Sequence, residues 1–427
     1  MGWPGRIFRG ARKYAGTKHR SLLENGLNSG SVPVGVSLLT GCQDRPYAFG
    51  LAMSVVSNGA ALDFIGGDEV DSPELHNTPG LQFFNLRGSQ QSGMSARAKA
   101  AGLLRYYVRL IAYGLTAEPK LFHILWNNRF EYFDRTLLTL FFKLCRKKIV
   151  LTAHNVNAAR RDQSDSFLNR LTLRIQYHLA DHIFVHTRKM KAELLEDFAV
   201  KPDNVTVITH PVIDAFPDSS LTTSEARERL GFHPDEKVIL FFGNIRPYKG
   251  LEFLVGALQN LVEKDPSYRL VVAGQRKKGS DEYLNGILRQ IDEARLTETV
   301  LLKIGYIPEE EAEMYFKAAD VLALPYKEIF QSGVLFVGYR FGLPVVATDV
   351  GSFSEDILEG KTGFLSESCD PSDLAATFEK FFASDIFRER ATRREEIRRY
   401  AEQHHSWDSF GRTTHNLYAS LLGVNCS

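Results

Sequence analysis

The sequence predicts an α/β fold made of two Rossmann-like, doubly wound halves, and three observations carry that expectation. Its 427 residues exceed what one hydrophobic core usually fills, so two domains are expected. The stretch 323–355, ALPYKEIFQSGVLFVGYRFGLPVVATDVGSFSE, reads as strand, loop, helix over 332–341, Gly-Leu-Pro turn, strand and glycine turn. The stretch 236–258, EKVILFFGNIRPYKGLEFLVGAL, reads as strand, glycine loop and amphipathic helix, which opens a second half of the same kind.

The elements follow in order. A segment 1–31 carries Arg6, Arg9, Arg12, Lys13, Lys18 and Arg20 and, over its first twenty residues, no acid; Trp3, Ile7, Phe8 and Tyr14 are interleaved with the cations. It reads as a flexible basic leader, with an interfacial anchor for anionic lipid as the second reading. The first half is expected over 32–212. It starts with a buried strand 34–39 that feeds the turn at Gly41 and a helix, and continues with the strand ALDFIGG. The sequence LLTGC ending at Cys42 resembles a lipoprotein cleavage box, but its apolar run is short and Glu24 separates it from the basic segment, so the strand is the better reading. Gly, Ser, Gln and Asn enrich 78–93, which reads as a mobile loop. The apolar, aromatic run 103–115 reads as a core helix, with recognition of a lipid-linked acceptor as the alternative. After the strand LFHILW and a helix over 137–144, KIVLTAHNV is a strand ending at His154 and Asn155. Then come the helix TLRIQYHLA, the strand DHIFVHT, a helix MKAELLEDF and a short strand 205–208.

A proline-containing, polar linker leads into the second half, expected over 213–400. Its further strands are YRLVVAG, ETVLLKIG and ADVLALP. A charge-rich helix over 385–399 reads as a solvated face, and a terminal amphipathic helix lies within 401–427.

Composition excludes several classes. Hydrophobic residues at 44% and charged residues at 24% are ordinary for a globular protein, and a net charge of +1 argues against a polybasic nucleic-acid binder. Cys42, Cys145, Cys369 and Cys426 are scattered without a C-x-x-C pair and read as reduced thiols of a cytoplasmic protein; no metal site is expected. No apolar run approaches the length of a membrane span. No strand is followed by Gly-x-Gly-x-x-Gly with a downstream acid, which disfavours a dinucleotide-dependent enzyme.

Two loops carry readable chemistry. Gln331, Ser332, Gly333 and Val334 open a helix at the carboxyl end of a strand, where backbone N–H groups and the helix dipole can hold an anion; a plain N-cap at Ser332 is the competing reading. In Gly243-Asn244-Ile245-Arg246-Pro247-Tyr248-Lys249-Gly250 a glycine permits close backbone approach, and two cations sit three apart before a helix. Cations there oppose the helix dipole and need a reason, such as a departing diphosphate.

The ordered pattern PY, QSGVL, GLPVVATDVG and a following glutamate resembles the donor-binding half of a family 4 glycosyltransferase of the GT-B fold. The resemblance implies two Rossmann-like domains facing a cleft, with the terminal helix packing back on the first domain. It implies metal-independent, retaining transfer of a hexose from a UDP- or GDP-sugar to a hydroxyl of a saccharide or lipid-linked saccharide in polysaccharide or glycoconjugate biosynthesis. No cofactor is expected beyond the nucleotide-sugar donor, and peripheral contact with a membrane is allowed for. Lys249 matches the family's diphosphate-binding lysine, and Arg246 stands in for an arginine where this chain has Asn244. His154 resembles the first-domain histidine beside the donor sugar. Glu355 matches a glutamate that holds the last glycine turn, with donor-sugar contact as the lesser role. Gly305 and Tyr306 lie where the family places its nucleobase. Gly41 gives close backbone approach on the acceptor side. Asp44, Asn155 and Asn157 are the polar candidates there, and the loop Arg160, Arg161, Asp162 could meet a charged acceptor. Two glutamates common in the family are absent, because Ile329 and Val337 occupy their positions. An epimerase or hydrolase of the same fold, or a non-catalytic nucleotide-sugar-binding partner, are the alternatives.

Overall fold

The computed structural model describes residues 34–89, 95–161, 164–212, 219–277 and 279–424. The basic leader, Asp162, Cys426 and residues 213–218 of the expected linker lie outside the described residues. The chain divides into two compact units. One holds the described residues up to Ile208 and those from Trp407 onward; the other is Thr209–Ser406.

The first unit is built on seven parallel strands in the order β3-β2-β1-β4-β5-β6-β7: β1 Val34–Leu39, β2 Ala60–Gly66, β3 Leu81–Asn85, β4 Leu121–Ile124, β5 Lys148–Thr152, β6 His182–Val185 and β7 Val205–Val207. The central strands are apolar on both faces because helices cover both sides. Helix α1, Arg45–Ser57, buries Tyr47, Leu51 and Val55; α2, Ala96–Thr116, buries Tyr106, Leu110 and Tyr113 and leaves Leu104, Val108 and Leu115 exposed, so only one face of 103–115 is core. Helices α3, Thr139–Leu144, and α4, Phe167–Leu179, follow. The expected loop 78–93 contains a strand instead. Among the described residues β3 pairs with β2 alone, so Gln82 and Asn85 are tolerated at the sheet edge while Leu81 is buried.

The terminal helix α5, Trp407–Leu422, belongs to this unit, as expected. Gly50 and Gly411 make room for it. A side-chain carbon on Gly50 would lie 2.2 Å from the Trp407 ring, and one on Gly411 would lie 2.6 Å from the Ser54 carbonyl oxygen. Tyr418 Oη and His123 Nδ1 are 2.5 Å apart in the core.

The second unit has six parallel strands in the order β10-β9-β8-β11-β12-β13: β8 Lys237–Phe242, β9 Tyr268–Gly274, β10 Val300–Ile304, β11 Val321–Leu324, β12 Val345–Thr348 and β13 Gly363–Ser366. Helix α6, Leu251–Lys264, and helix α7, Gly333–Arg340, follow β8 and β11. The unit ends later than position 400, because the helix Arg390–His404 runs unbroken past it and the His405 carbonyl accepts from the Val212 amide at 2.8 Å.

In each sheet the strand order reverses between the first and fourth strands. That reversal opens a crevice at the carboxyl edge, between β1 and β4 in one unit and between β8 and β11 in the other. Among the described residues no helix is long and apolar enough to cross a membrane.

Candidate functional site

The loops that flank the second crevice are the two that the sequence singles out. Residues 243–250 leave β8, and 325–332 leave β11. Close approach of backbone to backbone holds the first loop in place. A side-chain carbon on Gly274, at the end of β9, would lie 1.8 Å from the Gly243 carbonyl oxygen, and one on Gly250 would lie 1.9 Å from that of Pro325. Gly250 also has φ +66°, and Gly243 has φ +104°.

This packing drives Lys249 inward. Its side chain is buried, with Nζ 5.1 Å from the centre of the Tyr326 ring. A side-chain carbon on Gly243 would lie 3.2 Å from that Nζ and 3.4 Å from Val334 Cγ2, so loop, lysine and helix start share one spot. Loss of solvent, with the Arg246 charge as a smaller cause, lowers the ammonium pKa to about 8. Among the described residues no carboxylate pairs with it. A buried cation without an anion is costly, so the site is suited to an anion from outside.

Ser332 is not a plain N-cap. It is buried at the N-cap position of α7, but its hydroxyl makes no cap bond and lies 3.4 Å from Tyr326 Oη. Helix geometry leaves the amides of Gly333 and Val334 without intrahelical acceptors, and the Val334 side chain reaches the spot where Lys249 Nζ sits. Arg246 is half-buried at the start of the turn Pro247–Lys249, and Asn244 is exposed.

Ile329 and Val337 are buried in the core of this unit, and Glu328 is exposed beside them. A carboxylate the sequence did not single out organises the loop. Asp356 Oδ2 accepts from Ser352 Oγ at 2.7 Å and from Gln331 Nε2 at 3.2 Å, and burial raises its pKa to about 6. Gln331 Oε1 is buried without a partner among the described residues. Glu355 is exposed, and its neighbour Asp356 is the one that accepts from Gln331. Asp356→Ala is expected to cost about 2 kcal/mol by leaving two donors without an acceptor, whereas Asp356→Asn keeps the acceptor. Urea denaturation of the two variants separates these outcomes.

Gly305 and Tyr306 sit at the same sheet edge, past β10. The Gly305 amide donates to Gly274 at 3.0 Å, and the Tyr306 side chain is 70% exposed.

In the first unit, the crevice edge gathers the other candidates. His154 stacks on Trp126 with ring centres 4.3 Å apart and 1° between planes, and meets the edge of Tyr47 at 4.7 Å. A side-chain carbon on Gly41 would lie 2.8 Å from the Trp126 carbonyl oxygen, which accounts for the glycine. Asp44 is exposed and caps α1, accepting from the Tyr47 amide at 3.2 Å. Asn155 is half-buried at this edge. Asn157 turns inward: its Oδ1 accepts from Asn169 Nδ2 at 2.9 Å and from the Arg160 amide at 3.3 Å, so it braces the loop. Behind His154, His186 is held neutral by burial, with a pKa lowered to about 4. Trp126, Tyr47, Tyr326 and Asp356 were missed because each gains its place from a segment distant in sequence. Among the described residues no group of three or more His, Cys, Asp or Glu could hold a metal ion.

The Lys249 geometry sets a pH dependence. Below about pH 8 the lysine is charged in the free protein and meets an anion directly. Above it, binding must take up a proton, so diphosphate affinity is expected to fall by up to about tenfold per pH unit between pH 8 and the higher pKa of the complex. The free protein changes oppositely. Because the unfolded lysine holds its proton more tightly, this residue's contribution to stability rises with pH above 8. Thermal melts at pH 7 and pH 9, with and without nucleoside diphosphate, read both trends.

Comparisons with known proteins point the same way. The family profile described as Glycosyl transferases group 1 matches residues 222–404, and the one described as Glycosyltransferase Family 4 matches residues 103–215. D-inositol 3-phosphate glycosyltransferase of Corynebacterium aurimucosum is 29% identical over 291 residues, covering 65% of this chain and 67% of its own length. The enzyme of that name from Nocardioides sp. is 30% identical over 251 residues, covering 56% of this chain and 53% of its own. Among solved structures, sucrose-phosphate synthase from Thermosynechococcus elongatus aligns with a TM-score of 0.72 at 18% identity, over 91% of this chain and 99% of that one. Anabaena HepE in complex with UDP aligns at 0.70 and 15%, over 91% and 100%. At such identities the structures speak for the fold.

Proposed function

The chain belongs to the family 4, group 1 glycosyltransferases of the GT-B fold, and from that premise we propose that it moves a hexose from a UDP- or GDP-sugar to a hydroxyl of a saccharide or lipid-linked saccharide. The observation that carries this reading is the buried Lys249, set against Gly243 and the start of α7 with no carboxylate of its own among the described residues. A diphosphate seated there meets the ammonium, the Gly333 and Val334 amides and Arg246. As the bond from the sugar's anomeric carbon to the diphosphate oxygen breaks, negative charge builds on that oxygen, and these groups stabilise it. The acceptor oxygen forms the new bond from the same face, so configuration is retained, and its proton passes to the departing phosphate. The protein's own cations answer the diphosphate charge in this scheme, so no metal and no further cofactor takes part. Gln331, whose buried carbonyl oxygen lacks a partner among the described residues, would read a donor hydroxyl once the donor reaches it, and the exposed Tyr306 ring would stack on the base. HepE has been solved with UDP, with UDP and glucose, and with UDP-glucose, which supports a uridine donor.

A thermal-shift screen with UDP, GDP and their common sugars tests the reading, because a ligand that binds only the folded state raises the melting temperature. Donor consumption is then followed with and without saccharide acceptors. Consumption without any acceptor would favour an epimerase or hydrolase. The buried Ile329 and Val337 favour a second reading, a nucleotide-sugar-binding partner, which would show binding and no transfer.

A further inference from the structure

Helix α4 is inside out. Asn169, Thr172 and Gln176 face inward with Leu173 and Tyr177. Arg135 Nη1 donates to Asn169 Oδ1 at 2.8 Å, Gln176 Nε2 donates to Asn127 Oδ1 at 2.7 Å, and Tyr177 Oη donates to the Val156 carbonyl at 2.6 Å. The outward residues are apolar: Phe167 is 82% exposed, and Leu168, Leu171 and Ile175 are exposed beside it. Helix α3 and the turn before it lie alongside and add Leu137, Leu140 and Leu144, the last 76% exposed. Soluble helices put their apolar stripe inward, so a contiguous outward stripe on two adjacent helices needs an occupant.

The charges select one. Neither 136–148 nor 166–179 contains an acidic residue, and between them they present Lys143, Arg146, Lys148, Arg170 and Arg174. Lys143 and Lys148 pair with Asp181, and Arg170 with Asp165, both acids from outside these segments. Among the described residues Arg146 and Arg174 have no acidic partner. A second copy of the chain on the same face would set cations against cations, which disfavours self-association. An apolar stripe flanked by cations fits an anionic bilayer, where leucines enter the headgroup boundary and arginine stems reach back to the phosphates.

We propose that the α3–α4 face seats the first unit on the surface of an anionic lipid bilayer. This goes beyond the transfer reaction and does not depend on the donor chemistry.

The test uses the full chain and co-sedimentation with phosphatidylcholine vesicles, with and without phosphatidylglycerol. The chain is expected to sediment with the anionic vesicles, less so at high salt. Leu171→Glu with Ile175→Glu is expected to weaken partitioning at least about tenfold, and Arg146→Gln with Arg174→Gln to weaken it measurably. All four positions are exposed, so nucleotide-induced thermal shifts should not change. Phe167→Ser, at the most exposed apolar residue of this face, serves if the double glutamate variant does not fold. The proposal is overturned if the wild type ignores anionic vesicles, or if the face variants bind as the wild type does, since another segment would then be responsible. A dimer in light scattering that Leu171→Glu with Ile175→Glu dissolves would also overturn it.

Discussion

Lys249→Ala is expected to lower turnover about a hundredfold or more while leaving the fold intact. Removing one fixed donor of transition-state charge stabilisation typically costs about 3 to 4 kcal/mol, and Lys249 is the cation that the structure buries against Gly243. The same substitution should not destabilise the free protein. The lysine holds its proton less tightly when folded than when unfolded, so near neutral pH its charge opposes folding. Activity and stability therefore move independently: release of nucleoside diphosphate collapses while the melting temperature without ligand holds or rises. A residue kept only for packing would give the opposite pair of results, a lower melting temperature and preserved turnover.

Gly274→Ala is expected to cost about 3 kcal/mol of stability and to weaken nucleotide binding tenfold or more. Its new methyl carbon would lie 1.8 Å from the Gly243 carbonyl oxygen, and this obstacle is backbone, which cannot rotate away. The displaced segment is the one that carries Arg246 and Lys249, so the damage would reach the proposed anion site although Gly274 bears no side chain to contact a ligand. Chemical denaturation and UDP or GDP titration together check both effects. Gly286→Ala is the control, since a side-chain carbon there meets nothing within 4 Å.

The two sheets were legible because buried parallel strands such as VILFF and VLAL are continuous apolar runs bounded by glycine or proline. β3 was hidden because Pro79-Gly80 and the amides of Gln82 and Asn85 read as loop, a composition that only an edge strand accommodates. Both loops of the proposed donor clamp could be read because each is local: a glycine and a lysine within eight residues, and a serine and glycine at a helix start. The rest of the site depends on tertiary placement. Glu355 and Asp356 are adjacent and chemically alike, and the rotation of a four-residue helix decides which one is buried against Gln331. The surroundings of His154 come from Tyr47 and Trp126 on two other segments. The run TLRIQYHLA reads as a helix, but its sequence does not say that the polar side of α4 faces inward, a choice made by Arg135 and Asn127 on neighbouring segments.

The most direct test of the donor clamp is a crystal structure with whichever of UDP or GDP raises the melting temperature. The expected electron density places the diphosphate within hydrogen-bond distance of Lys249 Nζ and of the Gly333 and Val334 amides. A nucleotide bound with its phosphates away from Lys249, or elsewhere on the protein, would contradict the account.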